Sequence, residues 1–476
     1  MTLSAVTLDA ASLGERFIRV FSLGDHNTRV VLLGTTLLGL ACGVIGSFML
    51  LRKRSLMGDA VSHATLPGIG IAFLLMTAFG GSGKYLPGLL LGAFLSGLAG
   101  MGFVLWVTHA SRLKQDAALG IVLSAFFGLG VALLGIIQKS KTGHAAGLES
   151  FIYGKTASML AADAAMIGVV AAVTISACVV LFKEFGLLCF DPEFAGSQGR
   201  KPVLLDTIMM GLVVVVTVIG LQAVGLILII ALLVIPAAAA RFWTEHLPRM
   251  VLTAAAIGAG AGWIGAGLSG LAPRMPAGAV IVLVASSAFL ISMLFGPARG
   301  IVPRGLARLR LERSVMRQHV LRGIYEWLEE HSPVEPDVGI CSTAIPLTAV
   351  RSARSWSSRE FAAAVRATER EGLVYRTSAG TLALSPEGLA VARQVVRNHR
   401  LWEVYLITHA DIAPSQVDRD ADRIEHVLGH AMVQKLETLL APRFPHVKVP
   451  PTPHPIDHAL TSERAGEAAR PPAEES

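Results

Sequence analysis

Residues 51–75 read LRKRSLMGDAVSHATLPGIGIAFLL. Three cations, Arg52, Lys53 and Arg54, close one hydrophobic stretch, and the next opens on Asp59 and His63. Four positions apart on a helix, the acid and the imidazole share one face. A carboxylate beside an imidazole is a donor pair for a divalent transition metal. Ionisable groups inside a membrane span are costly, so they face a pathway or the bundle interior. The pair is read as touching a metal ion on its way across a membrane. The plainer alternative is an acid that caps a helix and a histidine packed in the bundle.

The chain around this stretch has 476 residues, 53% of them hydrophobic and 16% charged. Long uncharged runs at that composition exclude a soluble globular protein and imply many membrane crossings. Nine apolar stretches qualify: 28–51, 58–79, 86–108, 117–137, 161–182, 203–221, 224–240, 250–270 and 277–296. The sixth and seventh are separated only by Gln222 and Ala223. They are either a tight hairpin or a broken helix beside a re-entrant segment, so eight spans is the second count. In the nine-span count the basic loops (Arg52–Arg54, Arg112 with Lys114, Arg200 with Lys201, Arg241, Arg299–Arg313) fall on one side, which puts the N-terminus outside and the C-terminus in the cytoplasm. Lys139, Lys141 and Lys155 break that pattern. Small residues at Gly88, Gly92, Gly258, Gly262, Ala266 and Gly270 mark close helix contacts within the bundle. Cys42, Cys178, Cys189 and Cys341 are widely spaced and suggest no disulfide framework or zinc knuckle. Residues 1–27 mix polar and apolar groups and read as a surface helix, without a cleavable leader.

Arg54, Gly58, Asp59, Ala60, His63, Leu66, Pro67 and Gly68 together resemble the signature of the ABC-3 permeases, the membrane subunits of zinc, manganese and iron ABC importers. Two further stretches carry the same resemblance. The first is the loop 183–202, KEFGLLCFDPEFAGSQGRKP, whose Phe190, Asp191, Pro192, Glu193, Phe194, Ala195 and Gly199 match the loop that docks into an ATPase subunit. Its residues alone say that Asp191 caps a short helix and Pro192 occupies its first turn. The second is GLILIIALLVIPAAAAR at 225–241, where Pro236 would act as a hinge inside a span. The resemblance implies an ATPase on a separate chain, an extracytoplasmic metal-binding protein, and a second permease subunit as partners. No complete nucleotide-binding loop occurs here: Gly154-Lys155-Thr156 lacks its first glycine, since position 149 is Glu149.

Composition changes after Gly300. Arg304, Arg308, Arg310 and Arg313 form a basic linker, 301–312, suited to anionic lipid. Helical periodicity over 313–331, a short helix near 346–353, a capping box at Ser357–Glu360 opening a helix to about Glu371, and two strands within 373–384 describe a winged helix. Ser385-Pro386-Glu387 starts a helix to about His409, and a second long helix covers 415–440. This part resembles the diphtheria-toxin-repressor family of iron- and manganese-sensing regulators. Carried over by that resemblance, the metal ligands are His399, Asp422, Glu425 and His426 with His319, and Glu403 and Asp418 belong to a second site. Arg322 departs from the pattern, standing where manganese-sensing members carry an acid. Mixed nitrogen and oxygen donors suit Mn2+ or Fe2+ without excluding Zn2+.

The expected fold is thus an all-α polytopic membrane protein of eight or nine spans with a cytoplasmic α+β winged-helix and helical metal-sensing and dimerisation domain. The parts are a surface segment (1–27), the permease (28–300), the linker (301–312), the winged helix (313–384), the helical metal-binding part (385–460) and a disordered tail (461–476). The expected function is the permease subunit of a cell-membrane importer for Mn2+, Zn2+ or Fe2+, regulated by its cytoplasmic domain and hydrolysing nothing itself. The competing expectation is a membrane-tethered, metal-dependent DNA-binding regulator. Against it, Arg359, Arg366 and Arg370 on the recognition helix are offset by Glu360, Glu369 and Glu371.

Overall fold

A computed structural model describes residues 25–139, 154–271, 275–331, 343–409 and 435–438, apart from positions 82, 84, 155, 353–355, 379 and 437. Two compact units divide between Arg304 and Gly305. In the first, α1 (His26–Leu51), α2 (Met57–Ala78), α3 (Leu86–Ala110), α4 (Gln115–Lys139) and α5 (Ala161–Val180) are followed by two short helices, α6 (Phe182–Phe190) and α7 (Pro192–Ser197). Then come α8 (Pro202–Val224), α9 (Leu226–Ala240), α10 (Leu247–Leu271) and α11 (Ala277–Phe295).

Eight of the described helices are long and apolar enough to cross a membrane. The exception among the apolar ones is α9, with 15 residues. At 1.5 Å per residue it reaches about 22 Å, short of the ~30 Å hydrocarbon core. The two-residue gap expected at 222–223 is also displaced. Gln222 and Ala223 are helical, and the break falls on Gly225, with φ 85° and ψ 170°. That backbone conformation is open only to glycine, so the residue type fixes where the chain turns from α8 into α9.

The first helix is the centre of the bundle. Helix α10 lies against it through backbone rather than side chains. A Cβ on Gly39 would come within 2.2 Å of the Gly258 carbonyl oxygen, one on Gly43 within 2.4 Å of the Ala254 oxygen, and one on Gly262 within 2.4 Å of the Thr35 oxygen. Helices α2 and α3 meet the same way at Gly68 and Gly92. The glycine stripe of α10 is therefore used inside this chain. Helices α4, α5 and α11 are outer helices and expose Ile121, Val173 and Leu283.

The second unit contains most of α12 (Ile301–His331), then β1 (Ile345–Pro346), α13 (Leu347–Ser352), α14 (Ser358–Arg370), β2 (Val374–Ser378), β3 (Thr381–Leu384) and α15 (Pro386–His409). The strands form an antiparallel sheet in the order β1-β3-β2, with Ile345 opposite Leu382 and Tyr375 opposite Ala383. The Ser357 hydroxyl accepts from the Glu360 N–H while the Glu360 carboxylate accepts from the Ser357 N–H, closing the expected capping box. Gly372, at φ 73°, ends that helix. A core of Leu321, Ile324, Tyr325, Phe361, Leu382 and Val396 joins these elements. The basic linker is not a separate element, because its residues are the first turns of α12. The small strand β1 adds a third strand to the two expected within 373–384. The second long helix expected at 415–440, the surface segment and the tail lie almost wholly outside the described residues.

Substituting Gly258 by Val should separate α1 from α10 and destabilise the detergent-solubilised protein by about 2–3 kcal/mol or more, as overpacking of a rigid contact does. Thermal unfolding measures it. Gly102→Ala is the control, since a Cβ there meets nothing within 4 Å.

Candidate metal pathway and docking loop

The turn between α1 and α2 is closed by backbone bonds from Arg52 N–H to Phe48 O and from Arg54 N–H to Met49 O. Lys53 takes a left-handed φ of 60° to allow this. The turn sends Arg52 and Arg54 toward one acid, Asp206 on α8. Arg54 Nη1 donates to Asp206 Oδ2 at 2.5 Å, and Arg52 Nε lies 3.6 Å from Oδ1. Asp206 and Arg54 are both buried. Arg54 was part of the sequence signature, whereas Asp206 was not singled out. Its signal was present all the same: one acid inside an apolar helix calls for a partner.

Beyond this clamp, α2 starts at Met57. Its N-cap position is Leu56, with no side-chain cap bond. Asp59 is therefore not a capping acid, although its place in the first turn suits the helix dipole. Its Oδ1 lies 3.4 Å from His63 Nε2. The His63 ring meets Phe127 of α4 edge-on, with centroids 4.9 Å apart, and its Nδ1 is buried without a hydrogen-bond partner. The adjoining face of α2, with Met57, Ala60 and Val61, packs on α3 and α4 around Gly100, Val104 and Val122, leaving no room for a water. Asp59 and His63 remain partly accessible, at 34% and 18% of their side-chain surface.

Gly58 turns the neighbouring side of α2 to Leu233 of α9. The proline helix therefore touches the element that carries the pair. Pro236 itself is buried inside a continuous α9, its ring beside Gly258.

The loop after α5 holds more structure than its polarity suggests. Residues 182–190 form α6, whose Phe185 and Leu188 are fully buried. Phe185 and Phe182 both pack edge-on against Phe48, at the end of α1. The next helix, α7, is capped as expected: Asp191 Oδ1 accepts from the Phe194 N–H at 2.9 Å, and Pro192 is at its first turn. Phe190 and Phe194 are exposed, Ala195 is buried, and Gly199 leaves the helix at φ 76°. Cys189 ties this loop to the clamp, its thiol donating to the Phe48 carbonyl at 3.5 Å. Burial pushes that thiol up to about 11, with Arg52 and Arg54 pulling it down and Asp206 pushing it up.

In the second unit, His319 is half-buried and edge-on to Trp356, with centroids 6.2 Å apart. His399 and Glu403 are fully buried and paired at 3.0 Å. Asp418, Asp422, Glu425 and His426 lie outside the described residues. Among the described residues no three His, Cys, Asp or Glu side chains gather as a metal site.

The ABC 3 transport family matches residues 25–296. Residues 385–456 match the iron dependent repressor, metal binding and dimerisation domain. The chain is 39% identical over 398 residues to the manganese transport system membrane protein MntC of Bacillus subtilis, covering 84% of this chain and 88% of that one. An alignment of that length runs past the permease into the second unit. It is 46% identical over 286 residues to the zinc transport system membrane protein TroC of Treponema pallidum, covering 60% of this chain and 93% of that one. A solved structure, PsaBC from Streptococcus pneumoniae in complex with Fab, matches with a TM-score of 0.53 at 30% identity, covering 62% of this chain and 99% of that one.

The Cys189 geometry gives a test of the clamp. Removing the Asp206 charge leaves two cations beside the thiol, so Asp206→Asn should lower its pKa. Each unit lowered raises the thiolate fraction about tenfold. In a Cys341→Ser background, Cys189 alkylation at pH 8 should accelerate about threefold or more, read by mass spectrometry. An unchanged rate would place Asp206 away from the loop.

Proposed function

This chain belongs to the ABC 3 transport family, and we propose that it is the membrane permease of an ATP-driven importer for a divalent transition metal, with Mn2+ favoured over Zn2+ and Fe2+. One observation carries the reading: an acid and an imidazole 3.4 Å apart on α2, partly accessible, the imidazole keeping a buried nitrogen without a partner. A cation arriving there meets a carboxylate oxygen and a ring nitrogen, the donors Mn2+ and Zn2+ accept. Two donors hold an ion weakly, which suits a site that must also release it. A second permease subunit across a twofold axis would add the same two donors and complete a four-ligand set. An extracytoplasmic binding protein would deliver the ion.

The ATPase is a separate chain in this proposal. It docks on residues 190–199, where the Asp191-capped α7 leaves Phe190 and Phe194 exposed while α6 stays anchored on Phe48. Force applied to α7 passes through α6 to the end of α1 and to the Arg52–Arg54–Asp206 clamp, directly ahead of Asp59. Pro236 acts as a hinge in α9, next to the helix that bears the pair. The second unit is assigned to the cytoplasm, where it regulates transport; this follows the basic loops of the nine-crossing count, in which the short α9 returns the chain from Val224, beside Gly278, to Phe242, beside Gly296. Eight candidate membrane spans are far more than a DNA-binding regulator needs as an anchor.

Cells whose only such permease is Asp59→Ala or His63→Ala should take up radioactive Mn2+ at least tenfold more slowly, with the protein still inserted at normal amounts. Undiminished uptake would remove the pair from the pathway. Phe194→Ala should weaken co-purification of the ATPase by about tenfold or more, the loss typical of a buried aromatic anchor.

A further inference from the structure

The likeness of residues 385–456 to a metal-binding domain implies a metal near His399, and the geometry around that ring can be tested for fit. Each ring nitrogen lies close to a side chain of opposite character. Arg322 Nη1 lies 3.0 Å from His399 Nδ1, and His399 Nε2 lies 3.0 Å from Glu403 Oε1. A guanidinium has only N–H donors, so Nδ1 must be the acceptor. The ring proton then sits on Nε2, the nitrogen that lies 3.0 Å from Glu403 Oε1. A metal-bound histidine needs the opposite arrangement, with a lone pair on the ligating nitrogen and the other N–H given to an acceptor. With Arg322 in place, Nδ1 is covered by a cation and Nε2 carries a proton.

The arginine is itself built in. It is buried to 4% exposure, and its Nε donates to Glu326 Oε1 at 2.6 Å. One turn further along α12, Glu329 accepts both Nη1 and Nη2 of Arg400. Helices α12 and α15 are thus joined by two arginine contacts, a hydrogen bond from Arg322 to His399 and an ion pair between Arg400 and Glu329. The first contact sets two carboxyl groups, Glu326 and Glu403, beside the Arg322 guanidinium. A divalent ion added there would face the guanidinium at close range.

We propose that Arg322 is the resident cation of the His399–Glu403 cluster and keeps divalent metal off His399. The α12–α15 contact is then set by the protein's own charge, whatever the metal level. Any metal that this unit binds is held by other residues. The inference is independent of the transport reading.

The test uses the full chain in nanodiscs, with Asp59→Ala and His63→Ala in every sample so that the transport pair does not contribute. Bound Mn2+ is counted by the loss of the free-ion paramagnetic resonance signal, and Zn2+ by equilibrium dialysis. His399→Ala should leave both stoichiometries unchanged and both affinities within about twofold. Loss of one equivalent would overturn the proposal. Should His399→Ala fail to fold, His399→Gln keeps an acceptor for Arg322 and is read the same way. Arg322→Glu should open the site: Mn2+ binding that is absent from the Arg322 protein should appear, and should vanish when His399→Ala is added. If Arg322→Glu acquires no His399-dependent binding, Arg322 is not what excludes the ion, and the proposal falls.

Discussion

A charge taken out of water must bring its partner with it, and this constraint arranges the polar interior of both units. In the bundle, Asp206 is one buried acid in an apolar helix, and two arginines from the α1–α2 turn converge on it. Once that turn is pinned, the start of α2 is fixed, and with it the direction in which Asp59 and His63 point. The backbone contacts between α1 and α10 make the same demand in steric form. With carbonyl oxygens 2.2–2.4 Å from where a Cβ would sit, the central helix has no freedom to slide. Helix α9 is held against α1 in the same way, since a Cβ on Gly46 would come within 2.1 Å of the Leu233 carbonyl oxygen.

Much of this was legible in the sequence where a residue type admits one local geometry. Asp191-Pro192 can hardly be anything but a helix start, and Ser357 with Glu360 closes a capping box as written. The second-span pair shares a face because a helix repeats every 3.6 residues. What the sequence did not show depended on long-range partners. Residues 182–190 look like a polar loop, yet they fold as α6 because Phe182 and Phe185 find Phe48, far away in the chain. Asp206 gains meaning only from Arg52 and Arg54, the latter 152 positions earlier in the chain. The break after α8 was read two or three residues early, because hydropathy blurs an end that a positive φ at Gly225 sets sharply.

Two acid–histidine pairs at the same four-residue spacing show how surroundings divide one motif into two chemistries. In Asp59–His63 the acid precedes the ring, both side chains are partly accessible, and one ring nitrogen is buried without a partner. In His399–Glu403 the order is reversed, both side chains are 1% exposed, and a guanidinium covers the remaining ring nitrogen. In the proposed transport role the first pair takes an incoming cation. In the second an arginine already stands at the ring, and an incoming cation would meet a buried guanidinium that Glu326 also holds. Spacing alone treats the two alike. What separates them is the nature of the third group, an edge-on phenylalanine in one and an arginine in the other. A carboxylate–imidazole pair is open to a metal only where no cation of the protein already stands in its place.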